Sequence, residues 1–372
     1  MTLQQPLARD PQSWLCRAGP EDPVYFFNPI TLRETAKRFL DGFPGEVTYA
    51  VKANPHEEVL ETLAEVGLEA FDVASPIEMA LVNRARRSAR LHYHNPVRSK
   101  SEVAQGRQFG ITSWSIDRHS ELDKLGDITG VEIAVRLKLP VEGASYDFGR
   151  KFGADPEGAV ALLKMVVARG GVPSITFHPG TQCHDAGAWE AYIQASAEVA
   201  KRAGVTLHRL NVGGGFPSHR CDRLPDLQKI FATIAAAKAA AFDGEGPVLV
   251  CEPGRGMVAE AFQLALQVKA VCDDTIFLND GIYGGLSEWK DIGASSRVTA
   301  VAASGRHGDK MQDFTVFGPT CDSIDTLPET ISLPADLKEG DYLLFDGMGA
   351  YSTALATRFN GFGDYRIVTL TR

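Results

Sequence analysis

From about Tyr25 to Glu252 the chain alternates short apolar runs with longer amphipathic stretches. The run VTYAVKA precedes HEEVLETLAEVG, where Val59, Leu60, Leu63, Ala64 and Val66 form one helical stripe that closes at Gly67. EAFDVAS precedes PIEMALVNRARRSA, with Pro76 suited to a first helical turn. RLHYHNP, SWSID, VEIAVRLKL, SITFHPG, HRLNVGGGF and PVLVCEPG continue the strand-like series, with helix-like segments such as PEGAVALLKMVVARG and AWEAYIQASAEVAKRAG between them. Repeated strand–helix units predict a parallel sheet, and about eight of them predict a closed (β/α)8, TIM-like barrel over 25–256. After Gly256 the texture changes. AFQLALQVKAVC, TIFLND, RVTAVAAS, DFTVFGPTC, DYLLFDG and RIVTLTR are strand-like runs broken by Gly, Asp and Pro. They predict a mostly antiparallel β-barrel or sandwich over 257–372, joined by residues 1–24.

The polar exceptions fall at the strand ends. Lys52 ends the first predicted strand, Asp72 the second and Arg136 the fifth; His178 follows SITF, three glycines (Gly213, Gly214, Gly215) follow RLNV, and Glu252 follows PVLVC. In a β/α barrel these ends form the active-site rim. A single strand-end lysine or histidine is commonly structural, but six such features at successive strands are hard to assign to coincidence. Their chemistry is complementary as well. A lysine forms a Schiff base with an aldehyde, as pyridoxal phosphate requires. A glycine loop opening toward a helix wraps a phosphate with backbone N–H groups, although glycines also serve tight turns. A carboxylate such as Glu252 pairs with a protonated pyridine nitrogen, and Arg255 offers a fixed cation for the phosphate. His178 is suited to stacking on a ring or to a buried hydrogen bond.

The net charge of −9 argues against nucleic acid or anionic lipid as a partner and suits a cationic or zwitterionic small substrate. No run approaches the ~20 apolar residues of a membrane helix, and the opening MTLQQPLARDPQSWLCRAGP lacks a basic region followed by an apolar one. A cytoplasmic location is expected. Cys16, Cys183, Cys221, Cys251, Cys272 and Cys321 include no CxxC pair, which argues against a zinc site or a disulfide framework, so no metal is expected.

Taken in order, YAVKANP, FDVAS with Glu78, HPGTQC, NVGGGFP, EPGRGMVAEAF, GPTCDSID and GDYLLFDGMGAYSTALATRFNGF resemble the motif set of the fold-type III decarboxylases that use pyridoxal phosphate, and within them the ornithine decarboxylase branch. The resemblance runs from about Tyr25 to Phe362. It implies a barrel followed by a β domain, pyridoxal 5'-phosphate as cofactor, and a homodimer with active sites at the subunit interface. By motif, Lys52 is the Schiff-base lysine, His178 stacks on the ring and Glu252 binds the pyridine nitrogen. Gly213, Gly214, Gly215, Arg255 and Tyr351 surround the phosphate, with Thr181 where the branch usually has a serine. Asp72, Glu78 and Arg136 match polar residues near the lysine and the ring. Cys321 matches the cysteine that reprotonates the product carbanion, and Asp322 the aspartate that receives the distal ammonium.

Substrate recognition is implied for Asp322, Asp291, Tyr283 and Phe359. A diaminopimelate enzyme would carry a glutamate after the motif cysteine; Asp322 instead favours a diamino acid ending in an ammonium, most simply ornithine. NDGIYGGLSEWKDIG is about one residue shorter than the branch pattern, with Asp291, or else Glu288, as the second carboxylate. Lysine, or a modified or carrier-linked amino acid, is therefore the alternative substrate. A racemase would need a second tyrosine base that GPTCDSID does not suggest. A single-barrel carrier protein would lack the region after Gly256. A non-catalytic homologue of the antizyme-inhibitor kind tends to lose cofactor-holding residues, which are present here.

Overall fold

A computed structural model of the chain describes residues 7–139, 151–220 and 224–371, so Cys221 lies outside the described residues. The chain forms two compact units, one of residues 35–217 and 225–257, the other of residues 1–34, 218–224 and 258–372.

The first unit is the expected barrel. Eight parallel strands, Glu46–Ala50, Ala70–Val73, Arg90–Tyr93, Ser113–Ile116, Glu132–Arg136, Val172–Thr176, Arg209–Asn211 and Val248–Cys251, follow one another around it, and the eighth pairs with the first to close the ring. Local chemistry starts and stops the helices between them. Ser75 caps Pro76–Ala85, with proline in the first turn, and Ser99 with Glu102 forms a reciprocal capping box on Lys100–Gln108. Gly204, in left-handed conformation, ends Gly187–Ala203. Helix Glu57–Glu65 buries Val59, Leu60 and Leu63, the stripe expected from spacing.

The barrel interior is unusually polar for a core. Thr48, His92, Ser113, Glu132, Ser174 and Asn211 are all buried. At the N-terminal end of the strands Arg209 bridges Glu46 at 3.1 Å and Glu132 at 3.6 Å, while Ser174 donates to Glu132 at 2.8 Å. Glu132 and Ser174 are thereby partnered, which removes the desolvation penalty of about 1–3 kcal/mol that an unmade bond would leave.

The second unit centres on the eleven-residue strand Phe262–Cys272. It pairs antiparallel with Val24–Phe27, Tyr342–Asp346 and Thr275–Leu278. Val24–Phe27 also runs parallel to Arg366–Leu370, which in turn runs parallel to Leu7–Ala8. Leu15, Val24, Phe26, Ala265, Tyr342, Leu344 and Val368 form its core. The sheet is mostly antiparallel, with strands at each run named above. Two differences have physical causes. Residues 25–27 belong to this sheet rather than to the barrel, because their backbone pairs with residues 262–264. Strand Ile331–Pro334 was hidden by its proline and its short length; it pairs with Met311–Phe317.

Candidate active site

Strand register brings the polar residues to one end of the barrel. Ala50 lies opposite Asp72, Asp72 opposite His92, and Arg136 opposite Thr176, which lies opposite Asn211. Lys52 follows in the turn Val51–Ala53, its Nζ 4.0 Å from the buried Asp72 Oδ2. Lys52, Asp72, His94, Arg136, His178 and Glu252 line one cavity of about 210 Å³, walled by Ala74, Pro96, Phe152 and Phe177.

The glycine loop crosses this end. Gly213 and Gly215 adopt φ of +71° and +82°. A Cβ on Gly213 would lie 2.1 Å from the Phe177 carbonyl oxygen, so only glycine fits. A Cβ on Gly214 would lie 3.4 Å from His178 Nε2 and 2.8 Å from the Glu252 carbonyl oxygen, which places the loop directly against both residues. Phe216, next in sequence, anchors the loop in an aromatic cluster with Trp189, Phe39 and Phe231. His178 Nδ1 accepts from the Gly180 N–H at 3.0 Å. Burial, reinforced by Arg136 and Lys52, pulls its pKa down to about 3, so it presents a neutral ring. Arg255 is buried in the short helix Arg255–Val258, and Thr181 is half-buried in the loop after the sixth strand. Glu78 accepts from the Ala74 N–H at 2.6 Å and so closes the cap of its own helix.

The most connected residue was not expected. His94, at the end of the third strand, donates from Nδ1 to Glu252 Oε1, and its Nε2 lies 3.1 Å from Ser113 Oγ. Asn211 also donates to Glu252 Oε1. Burial opposes ionisation of Glu252, but His94 and Lys52 outweigh it and hold its pKa at about 2. Burial likewise lowers the His94 pKa, yet Glu252 overrides it and raises the pKa above the ordinary 6.5. Asp72 is pushed up by burial and then by Glu252. RLHYHNP carried the signal for His94, since it stands at a strand end like the other six features. One ligand atom each from Asp72, His94 and Glu252 lies within 4.8 Å of the others, a spacing that also suits a divalent cation.

The second unit holds its own cluster. Tyr283 donates to Asp322 Oδ2 at 2.5 Å, and the Tyr283 and Phe359 rings lie 4.9 Å apart. The Tyr283 bond, followed by the Ile324 N–H on Oδ1, lowers the Asp322 pKa. Buried Asp325 joins the loops, accepting from the Ile282 N–H at 3.0 Å and from Thr320 Oγ1 at 2.7 Å. Thr357 donates to the Tyr283 carbonyl, and the Cys321 N–H donates to Asn360 Oδ1. Cys321 is exposed. Tyr351 is half-buried with a φ of +53°, a strained backbone for a tyrosine. Asp291 is exposed on Trp289–Ile292, which Glu288 precedes, and shares no hydrogen bond with the Tyr283–Asp322 pair.

Comparison with known proteins identifies the family and the fold. The family described as pyridoxal-dependent decarboxylase, pyridoxal binding domain, matches residues 30–259. Decarboxylase flvG of Aspergillus flavus is 33% identical over 337 residues, 84% of this chain and 77% of that protein. Antizyme inhibitor 2 of Xenopus laevis is 31% identical over 352 residues, 87% of this chain and 76% of that protein. The crystal structure of the Vibrio vulnificus lysine/ornithine decarboxylase complexed with putrescine superposes with a TM-score of 0.83 at 26% identity, covering 96% of each chain. The barrel end fits pyridoxal phosphate: Lys52 lines the cavity, Asp72 Oδ1 is a buried acceptor with no hydrogen-bond partner among the described residues, and the glycine loop lies against His178. No helix among the described residues is long and apolar enough to cross a membrane.

Proposed function

Because the chain belongs to the pyridoxal-dependent decarboxylase family, we propose that it converts a basic L-amino acid to its amine and CO2, with L-ornithine to putrescine as the reaction. The observation that carries the substrate reading is the Tyr283–Asp322 pair. It holds a carboxylate ionised and fixed, as recognition of a terminal ammonium demands. Phe359 against Tyr283 supplies an apolar wall for the methylenes before that charge.

Bound pyridoxal phosphate supplies the electron sink for the pair left on the α-carbon when CO2 departs. Lys52 would anchor the cofactor through its ε-amine, with the Asp72 carboxyl 4.0 Å away to orient it. His178, neutral, would stack on the ring without adding a cation, which would leave the ring's acidity to Glu252. Glu252 would keep the proton on the ring nitrogen. Gly213, Gly214, Gly215, Arg255 and Thr181 would hold the phosphate. Arg136, half-buried at the same barrel end, would serve as a cation near the ring. The walls Ala74, Phe152 and Phe177 exclude water, which favours loss of a carboxylate charge. Cys321 returns a proton to the α-carbon, and Asp322, with Asp291 as the second carboxylate, receives the distal ammonium. The chain acts as a cytoplasmic homodimer with shared active sites. No metal enters this scheme, since Lys52, Arg136 and His94 already balance Asp72 and Glu252.

The test is incubation of the holoenzyme with ornithine, lysine, arginine and diaminopimelate, measuring CO2 and amine. Putrescine from ornithine at the highest kcat/KM is expected. A preference for diaminopimelate, or no CO2 from any of the four, overturns the reading. The latter outcome, with no visible cofactor absorbance, would match a non-catalytic role such as the antizyme inhibitor name describes.

A further inference from the structure

Glu252 does not stand alone in the barrel. Its Oε1 accepts from His94 on the third strand and from Asn211 on the seventh, while its Oε2 forms no hydrogen bond with the described residues and Glu252 borders the cavity. His94 is fixed at its other end as well, by Ser113 on the fourth strand. Both nitrogens of one imidazole are therefore committed, and its orientation is set by three strands. We propose that His94 is a positioning residue for the cofactor: by holding Oε1 of Glu252 from the third strand, it turns the remaining oxygen of that carboxylate toward the ring nitrogen of pyridoxal phosphate.

This inference rests on the reading of Glu252 as the ring-nitrogen partner. The physical case has two parts. A carboxylate free to rotate would share its two oxygens between protein and ligand, whereas one pinned at a single oxygen offers the other in a fixed direction, and outer partners of this kind tune a ligand-binding group. The second part is charge. Facing His94 are Glu252 from the eighth strand, Asp72 from the second, Glu132 from the fifth and His92 on its own strand. His92, 5.6 Å away ring to ring, is itself driven towards neutrality by burial and by Arg209, so it competes little for the proton. The carboxylates prevail, and His94 carries the positive charge that keeps Glu252 ionised in a buried setting.

The experiment titrates pyridoxal phosphate into cofactor-free wild type, His94→Ala, His94→Asn, Glu252→Gln and the His94→Ala/Glu252→Gln double variant, following the dissociation constant and the absorption band. His94→Ala should weaken cofactor binding about tenfold and shift the band. His94→Asn, which keeps a neutral donor near the position of Nδ1, should restore most of the affinity. The double variant should bind no worse than Glu252→Gln, because the two residues act through one contact. Binding by His94→Ala within twofold of wild type, or additive losses in the double variant, overturns the inference while leaving the Glu252 reading intact. Wild-type binding by Glu252→Gln overturns the reading beneath it. Where His94→Ala fails to fold, NMR titration of the His94 imidazole in cofactor-free protein decides: Glu252→Gln must lower its pKa, and an unchanged value refutes the pair.

Discussion

Lys52 is half exposed, with a buried carboxylate 4.0 Å from its amine, an arrangement that stabilises a surface cation only weakly. Its place at the cavity gives it a chemical use instead. Lys52→Ala is expected to abolish turnover and the visible cofactor band, and an absorbance scan of a yellow, active variant would refute the anchor. The His94–Glu252 pair makes a prediction about pH. The His94 pKa is raised above 6.5, so its contribution is complete below 6.5 and disappears as pH climbs through the raised value. Glu252 is held at about 2, well under its ordinary 4.5, so its contribution is complete above 4.5 and disappears on acidification. The stability difference between cofactor-free wild type and His94→Ala, from denaturant unfolding, should be largest between about pH 5 and 6.5 and shrink above that. A difference that grows as pH rises above 6.5 contradicts the pairing.

At the scale of the element, the loop 213–215 depends on backbone geometry more than on side chains. Gly213→Ala would force a methyl group to 2.1 Å from the Phe177 oxygen at a φ of +71°. A cost of at least about 2 kcal/mol follows, or roughly 5 °C in melting temperature by calorimetry. Cofactor affinity should fall with it; a variant as stable as wild type would mean that the loop relaxes freely. Phe216 is the reason it should not, because it ties the loop to Trp189, Phe39 and Phe231. The strands and helices here were largely legible, since period-2 and period-3.6 patterns, Ser75 and Ser99 caps and Gly204 act locally. Strand Ile331–Pro334 was not, because its pairing rather than its composition makes it a strand.

For the whole molecule, the proposed homodimer with shared sites has a direct test. Lys52→Ala and Asp322→Ala chains, each inactive alone, are mixed and allowed to exchange. If the two residues serve one site from different subunits, random pairing gives half mixed dimers with one intact site of two, or about a quarter of wild-type activity. No recovery in the mixture, with exchange verified by a tag, rules out sharing.

The sequence by itself determined the alternation that makes a barrel, the run of strands after it, and the strand-end positions of Lys52, Asp72, Arg136, His178, the glycines and Glu252. These follow from near-neighbour spacing, which the chain carries wherever it folds. Only the tertiary structure decided which of those groups touch. Residues 25–27 joined the sheet of the second unit, and Asp325 joined the loops of Tyr283 and Asp322. His94 and Glu252 are 158 residues apart in sequence and share one hydrogen bond. Closure of the barrel makes that pairing, because it sets the third, seventh and eighth strands around one interior, where a buried carboxylate must find its donors.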